Sequence, residues 1–179
     1  LIIDKGIVKG FTSIARDITE RHNSQIELKL VNHQLSTLIE NMNVGILLSD
    51  SDGKIALINR KFCELFGINN EPQNLIGYNF NSAMIKLRAM FSGKEKVLEE
   101  INACILSKKS QLNREVKLIN NTILERDYIP ISIDESHYSH IWIYKDVTEQ
   151  RSAQEILQKS EEKYRRIIEN MRLGLLVVD

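Results

Sequence analysis

The chain repeats itself. Residues 14–50 and 143–179 align without a gap at an offset of 129, with 13 of 37 positions identical, too many for chance without a gap. I-A-R-D-I-T-E (14–20) faces I-Y-K-D-V-T-E (143–149), and I-E-N-M-N-V-G-I-L-L-S-D (39–50) faces I-E-N-M-R-L-G-L-L-V-V-D (168–179). A period the size of one ordinary domain restricts the chain to one full domain with a scrap of a neighbour at each end. The expected boundaries are closing strands of a preceding domain at 1–20, a linker helix at 21–38 and a complete domain at 39–149. A second linker helix at 150–170 and the first strand of a following domain at 171–179 complete the plan.

Between Thr19 and Met42 there is neither glycine nor proline, and Leu28, Val31, Leu35, Leu38 and Met42 recur in steps of 3, 4, 3 and 4. That spacing keeps one seam facing a partner helix, as in a coiled coil. The offset carries it to Leu157, Ser160, Tyr164, Ile167 and Met171, so the second linker keeps the seam with one polar member. Asp17 with Glu20, and Asp146 with Glu149, have the spacing of a helix-start box, with Thr19 and Thr148 as competing caps. The helices are therefore expected to begin where strands end. Residues 1–18 alternate loosely around Lys5-Gly6 and read as a hairpin.

The full period reads as an α+β fold. Val44–Leu48 and Lys54–Ile58 form a hairpin about Asp50-Ser51-Asp52-Gly53. Asn59 caps a short helix over Arg60–Phe66, residues 69–81 are irregular, and a longer helix spans Lys94–Lys108. Three extended runs follow, Leu112–Ile119, Ile123–Ile133 and Tyr138–Val147. Two strands, then helices, then three strands imply an antiparallel sheet with helices on one face, flanked by the linker helices.

Composition excludes some functions. Lysine plus arginine equals aspartate plus glutamate, 24 each, so no net field recruits nucleic acid or anionic lipid. No apolar run reaches the roughly 18 residues that span a bilayer, although an anchor elsewhere in a longer parent stays open. Cys63 and Cys104 lack metal-site or disulfide spacing, which suits a reducing, cytoplasmic setting. His137 and His140 have H-x-x-H spacing on a hairpin with no accompanying ligand set, so no metal site is expected. No catalytic constellation or phosphate loop is present, and the segment is read as non-enzymatic.

The run G-I-L-L-S-D-S-D-G-K-I-A-L-I-N (45–59), F-C-E-L-F-G (62–67), L-I-G-Y-N-F (75–80), R-D-Y-I-P-I (126–131) and I-Y-K-D-V-T-E (143–149) together resemble the PAS sensory domain. The last resembles the D-I-T signature that closes many PAS domains, and 1–20 and 171–179 look like parts of flanking copies. The resemblance implies a five-stranded antiparallel sheet wrapped by short helices, in a dimeric, multidomain signalling protein. The implied parent is a sensor histidine kinase of a two-component phosphorelay, with the kinase domain and neighbouring PAS domains in the same chain. The alternative is a small-ligand-binding PAS domain of a diguanylate cyclase or other signalling enzyme.

Under that resemblance Asp146, Val147 and Thr148 relay a change in sheet packing into the exit helix, with Asp17 and Thr19 as their earlier twins. Asp146 either caps the helix or pairs with Lys145 or Arg151. Asn32-His33-Gln34-Leu35-Ser36-Thr37 resembles the S-H-E-L-R-T-P phosphoacceptor box, but the proline is missing, Ser36 replaces arginine and the repeat puts Glu162 at His33. His33 is read as a solvated linker histidine.

A cavity wall would consist of Phe62, Phe66, Tyr78, Phe80, Met84, Ile101 and Ile143, read as filled core before ligand pocket. Trp142 then faces the opposite side of the sheet. No cofactor is expected: the long helix has no histidine for haem, and neither cysteine lies in a flavin-photosensor box.

Overall fold

A computed structural model describes residues 2–4, 7–10, 17, 19–134 and 137–175. The chain divides into two units, Leu1–Ile39 and Glu40–Asp179. In the first, β1 (Ile2–Asp4) and β2 (Ile7–Gly10) pair antiparallel, with Ile3 opposite Val8 and Asp4 opposite Ile7. The expected turn at Lys5-Gly6 and the apolar run before Asp17 lie outside the described residues. Helix α1 (Thr19–Asn41) buries no residue along its length. Its last two residues, Glu40 and Asn41, belong to the second unit.

The second unit is built on a five-stranded antiparallel sheet in the order β4-β3-β7-β6-β5. The strands are β3 (Gly45–Ser49), β4 (Ile55–Ile58), β5 (Gln111–Lys117), β6 (Ile123–Ser132) and β7 (Tyr138–Asp146). The expected fold class and all five strands hold. The first hairpin turns where expected: Asp50 Oδ1 accepts from the amides of Asp52 (3.0 Å) and Lys54 (2.8 Å), and Gly53 takes φ 71°.

Between β4 and β5 come α2 (Arg60–Leu65), a 3-10 turn at Pro72–Leu75, α3 (Phe80–Leu87) and α4 (Lys94–Ser107). Asn59, fully buried, begins α2 by accepting from Phe62 N at 3.0 Å. The same side chain accepts from Ile46 N (2.8 Å) and donates to Val44 O (2.9 Å), so one amide fixes both a helix start and the first strand. Gly45 is required by the same close approach. A Cβ there would lie 2.9 Å from the Cα of Phe62, and backbone cannot step aside as a side-chain tip can.

Helix α3 corrects the irregular segment expected over 69–81 and the unassigned residues after it. Asn79 caps it by accepting from Ser82 N at 3.0 Å, and Phe80, Met84 and Leu87 face the core at i, i+4 and i+7. Exposed Ile85 blurred that stripe in the sequence.

Aromatic rings fill the space between sheet and helices. Phe66 meets Phe62 at 4.7 Å and Tyr144 edge-on at 5.0 Å, while Trp142 lies 4.6 Å from Tyr128 and stacks on Phe80 at 5.8 Å. Such pairs contribute about 0.5–1.5 kcal/mol each beyond their buried area. Trp142 is 1% exposed, which overturns the expectation that it faces away from the core. Register explains why: Trp142 lies opposite Leu47 and Tyr128, both buried, whereas Ile143 lies opposite Ile46 and Asp127 on the outer face. Ile143 is thus no part of a cavity wall.

Helix α5 (Thr148–Leu175) leaves directly from β7. It runs past residue 170, so the strand expected from 171 does not begin there; 171–175 are helical and 176–179 lie outside the described residues.

Candidate signal-relay junction

One residue, Val147, separates the end of β7 from the start of α5. Its amide donates to Ile123 O at 2.9 Å, and its carbonyl accepts from Arg151 N, also at 2.9 Å. The last rung joining this segment to β6 and the first rung of the helix ladder therefore belong to one peptide-length of chain. Val147 is buried, so water cannot substitute for either partner without opening the core.

Thr148 adds a second tie. Its hydroxyl oxygen accepts from Ile123 N at 2.9 Å and donates to Asp146 Oδ1 at 2.6 Å. Asp146 Oδ1 also accepts from Thr148 N at 2.9 Å, satisfying one of the amides that a helix start leaves without an intrahelical acceptor. Of the two roles expected for Asp146, the geometry is that of the cap. Its earlier twin has the same local geometry, with Thr19 N donating to Asp17 Oδ1 at 2.9 Å, and these bonds hold the Asp17 carboxyl below its usual range.

Arg151, named in the sequence as a partner for Asp146, goes elsewhere. Its Nη2 pairs with the carboxylate of Glu115 on β5, and its Nη1 donates to Gln154 Oε1 at 3.1 Å. The first turn of α5 is consequently tied to β6 through Val147 and Thr148 and to edge strand β5 through Arg151. Glu115 and Ile123 carry no sequence signal of this role, because both contacts depend on strand register.

Deeper in the sheet, Arg126 is 1% exposed, and its Nη2 reaches Glu100 on α4 at 3.1 Å. Glu100 also pairs with exposed Arg114 at 3.4 Å. Arg126 Nη1 and Trp142 Nε1 are buried without partners. Tyr128 donates or accepts at His140 Nδ1 at 2.9 Å according to the histidine tautomer. Burial pushes the Tyr128 and Tyr144 phenols up to about 12, with Arg126 partly opposing the rise at Tyr144. Burial, and then Lys108, hold His140 below its ordinary value.

The expected cavity wall separates in the structure. Phe66, Phe80, Met84 and Ile101 are packed into the core, while Tyr78 is 63% exposed. Phe62 is packed into the core as well, and with Tyr78 it borders a cleft of about 340 Å³ between α3, the 3-10 turn and β4. His137 pairs with Asp134 across the β6–β7 turn, and no metal-binding group of three side chains occurs among the described residues. The expected seam residues Leu28, Val31, Leu35, Leu38, Leu157, Tyr164, Ile167 and Met171 are all exposed on α1 and α5, and Met42 is exposed just past the end of α1.

The PAS fold family matches residues 33–128, more than half of the chain. The chain belongs to the PAS family. Among solved structures, an RNA-binding light-oxygen-voltage receptor shares the PAS fold at a TM-score of 0.55, 17% identical, over 75% of this chain and 38% of that one. The E. coli DhaR(N)-DhaL complex aligns at 0.52, 16% identical, over 73% of this chain and 40% of that one. Among curated proteins, sporulation kinase E of Bacillus subtilis strain 168 is 23% identical over 181 residues. The match takes in 99% of this chain but only 23% of the kinase, so the chain spans under a quarter of that relative's length. The PAS domain is a sensory domain and is not itself catalytic, and no described helix is long and apolar enough to cross a membrane.

Proposed function

We propose that this segment transduces a signal within a longer sensor histidine kinase of a two-component phosphorelay, working as a homodimer in the cytoplasm. A change in the packing of the sheet displaces the first turn of α5, and α5 passes the displacement to the next domain as rotation or a shift in register. The observation that carries this reading is the double use of Val147, whose amide ends the sheet contact and whose carbonyl starts the helix. A sheet motion cannot be absorbed by slack chain, because the junction has none.

The kinase parent is supported by the likeness to sporulation kinase E over nearly the whole segment. Pairing of two chains along α1 and α5 is supported by their exposed apolar residues at seam spacing. The internal repeat supports flanking PAS copies, with residues 1–20 closing the preceding domain. Asp146→Ala in the full-length parent tests the relay: autophosphorylation in response to the stimulus should be lost or locked at one level. Loss of thermal stability with an unchanged signal response would reduce Asp146 to an ordinary cap.

A further inference from the structure

A histidine sits half-buried in the sheet where β7 passes the end of α4. By alternation His140 shares the inner face of β7 with Trp142 and Tyr144, opposite buried Ser49 on β3 and Pro130 on β6. Its Nδ1 lies 2.9 Å from the hydroxyl of Tyr128, and the two rings stack at 5.9 Å with 18° between their planes. Tyr128 is 0% exposed, so its hydroxyl proton has no bulk water to turn to, and a buried donor left without an acceptor is costly. Among the described residues, His140 is the one hydrogen-bonding partner of that hydroxyl. The neutral ring meets the need in one tautomer, with Nε2 protonated and Nδ1 accepting.

Positive charge already stands beside the ring. Lys108 caps the C-terminus of α4 and holds its ammonium 4.1 Å from the ring centre of Tyr138, two residues before His140 on the same face of β7. The other elements packed here bring no free charge. Arg126 on β6 gives its guanidinium to Glu100 of α4, Cys104 of α4 is a thiol that burial keeps protonated, and Ser49 of β3 is uncharged. Burial, and then Lys108, accordingly favour the neutral imidazole.

We propose that His140 and Tyr128 form a proton-operated latch on the end of α4. A proton taken up at Nδ1 turns the bond round: the ring now donates to the Tyr128 oxygen, and the tyrosine's own proton is left buried without an acceptor. The same proton sets a second cation beside Lys108. Both effects oppose the packing of the end of α4 against β6 and β7, so acid loosens that corner. The neutral ring is the form the fold favours, so the stability it contributes is complete above the usual imidazole value of about 6.5 and is lost as pH falls through the lowered native value. His140 lies on the strand that leads into α5. That a falling pH reaches the output rests on the sensory reading, whereas the latch does not.

The test follows the 179-residue chain by NMR from about pH 8 to about pH 5. The His140 imidazole should take up its proton below 6.5. Over the same interval the amides of residues 104–108 should lose protection from exchange, measured against His140→Gln at equal pH to cancel the intrinsic pH dependence. Glutamine keeps an acceptor for Tyr128 and takes no proton, so that variant should show no acid loss. Lys108→Gln should move the His140 titration up towards 6.5 and shrink the loss. If His140→Gln does not fold, the Lys108→Gln comparison decides alone. Titration of His140 at or above 6.5, unchanged protection at the end of α4, or an acid loss that persists in His140→Gln overturns the proposal. The latch is read without signal output, so an acid-responsive chain in a parent whose autophosphorylation ignores pH defeats the sensory reading and spares the latch.

Discussion

Thr148→Val removes one hydroxyl and keeps the shape of the side chain. In the wild type that oxygen accepts from the part-buried Ile123 amide at 2.9 Å. Valine leaves the amide without an acceptor, and a buried donor stripped of its partner costs about 1–3 kcal/mol. The site is part-buried, and the lost donation to Asp146 is exposed, so the lower part of that range applies, about 1–2 kcal/mol. Threonine and valine differ little in helix propensity, which removes the main competing contribution. Spread over the unit Glu40–Asp179, with an unfolding entropy of about 2.1 cal/mol/K per residue, the loss lowers Tm by about 3–7 °C.

Trp142 is the chain's single tryptophan and is buried in the sheet, so urea unfolding followed by its fluorescence reports this unit and not α1. Amide exchange at Ile123 supplies the local readout and should accelerate in the variant. A variant within about 0.3 kcal/mol of wild type, with Ile123 exchange unchanged, would show that the hydroxyl does not hold β6.

Gly45→Ala should cost about 1–3 kcal/mol by the same fluorescence assay, because the added methyl meets the backbone of α2 at 2.9 Å; full stability would mean that α2 can retreat. Of the five tyrosines, Tyr128 and Tyr144 should ionise last, near pH 12, in an ultraviolet titration. Their neutral forms are favoured in the fold, so the associated stability is complete below pH 10 and is lost as pH climbs from 10 towards 12; five phenols titrating together near 10 in the folded protein would contradict their burial. Cys63 and Cys104 are buried, and burial pushes both thiols up, so a thiol reagent at neutral pH should label neither until the chain unfolds; rapid native labelling would show that the core is open.

The succession of strands and helices along the chain, the starts of α1, α2, α4 and α5 and the direct exit into α5 were legible because they rest on local signals. A turn needs its Asp and Gly, a cap needs its carboxylate or amide, and a repeat prints the same junction twice. The facing of β7 was not legible. Ile141, Trp142, Ile143 and Tyr144 are apolar in succession, so alternation carries no parity there, and only the pairing of Trp142 with Leu47 and Tyr128 decides it. Arg126 carried no signal of its burial, since a charged residue on the inner face goes against the usual pattern and is tolerated through Glu100. Arg151 was visible as a base near the junction. Its partner was not, because Glu115 reaches it across the sheet from a strand 36 positions earlier.

The link between edge strand and exit helix can be tested by reversing it. Glu115→Arg, Arg151→Glu and the double exchange would be made in the full-length parent and its autophosphorylation measured with and without stimulus. Each single change should uncouple output from stimulus, and the exchange should restore the coupling. Single variants that lose stability by Trp142 fluorescence yet signal normally would contradict a relay through the start of α5.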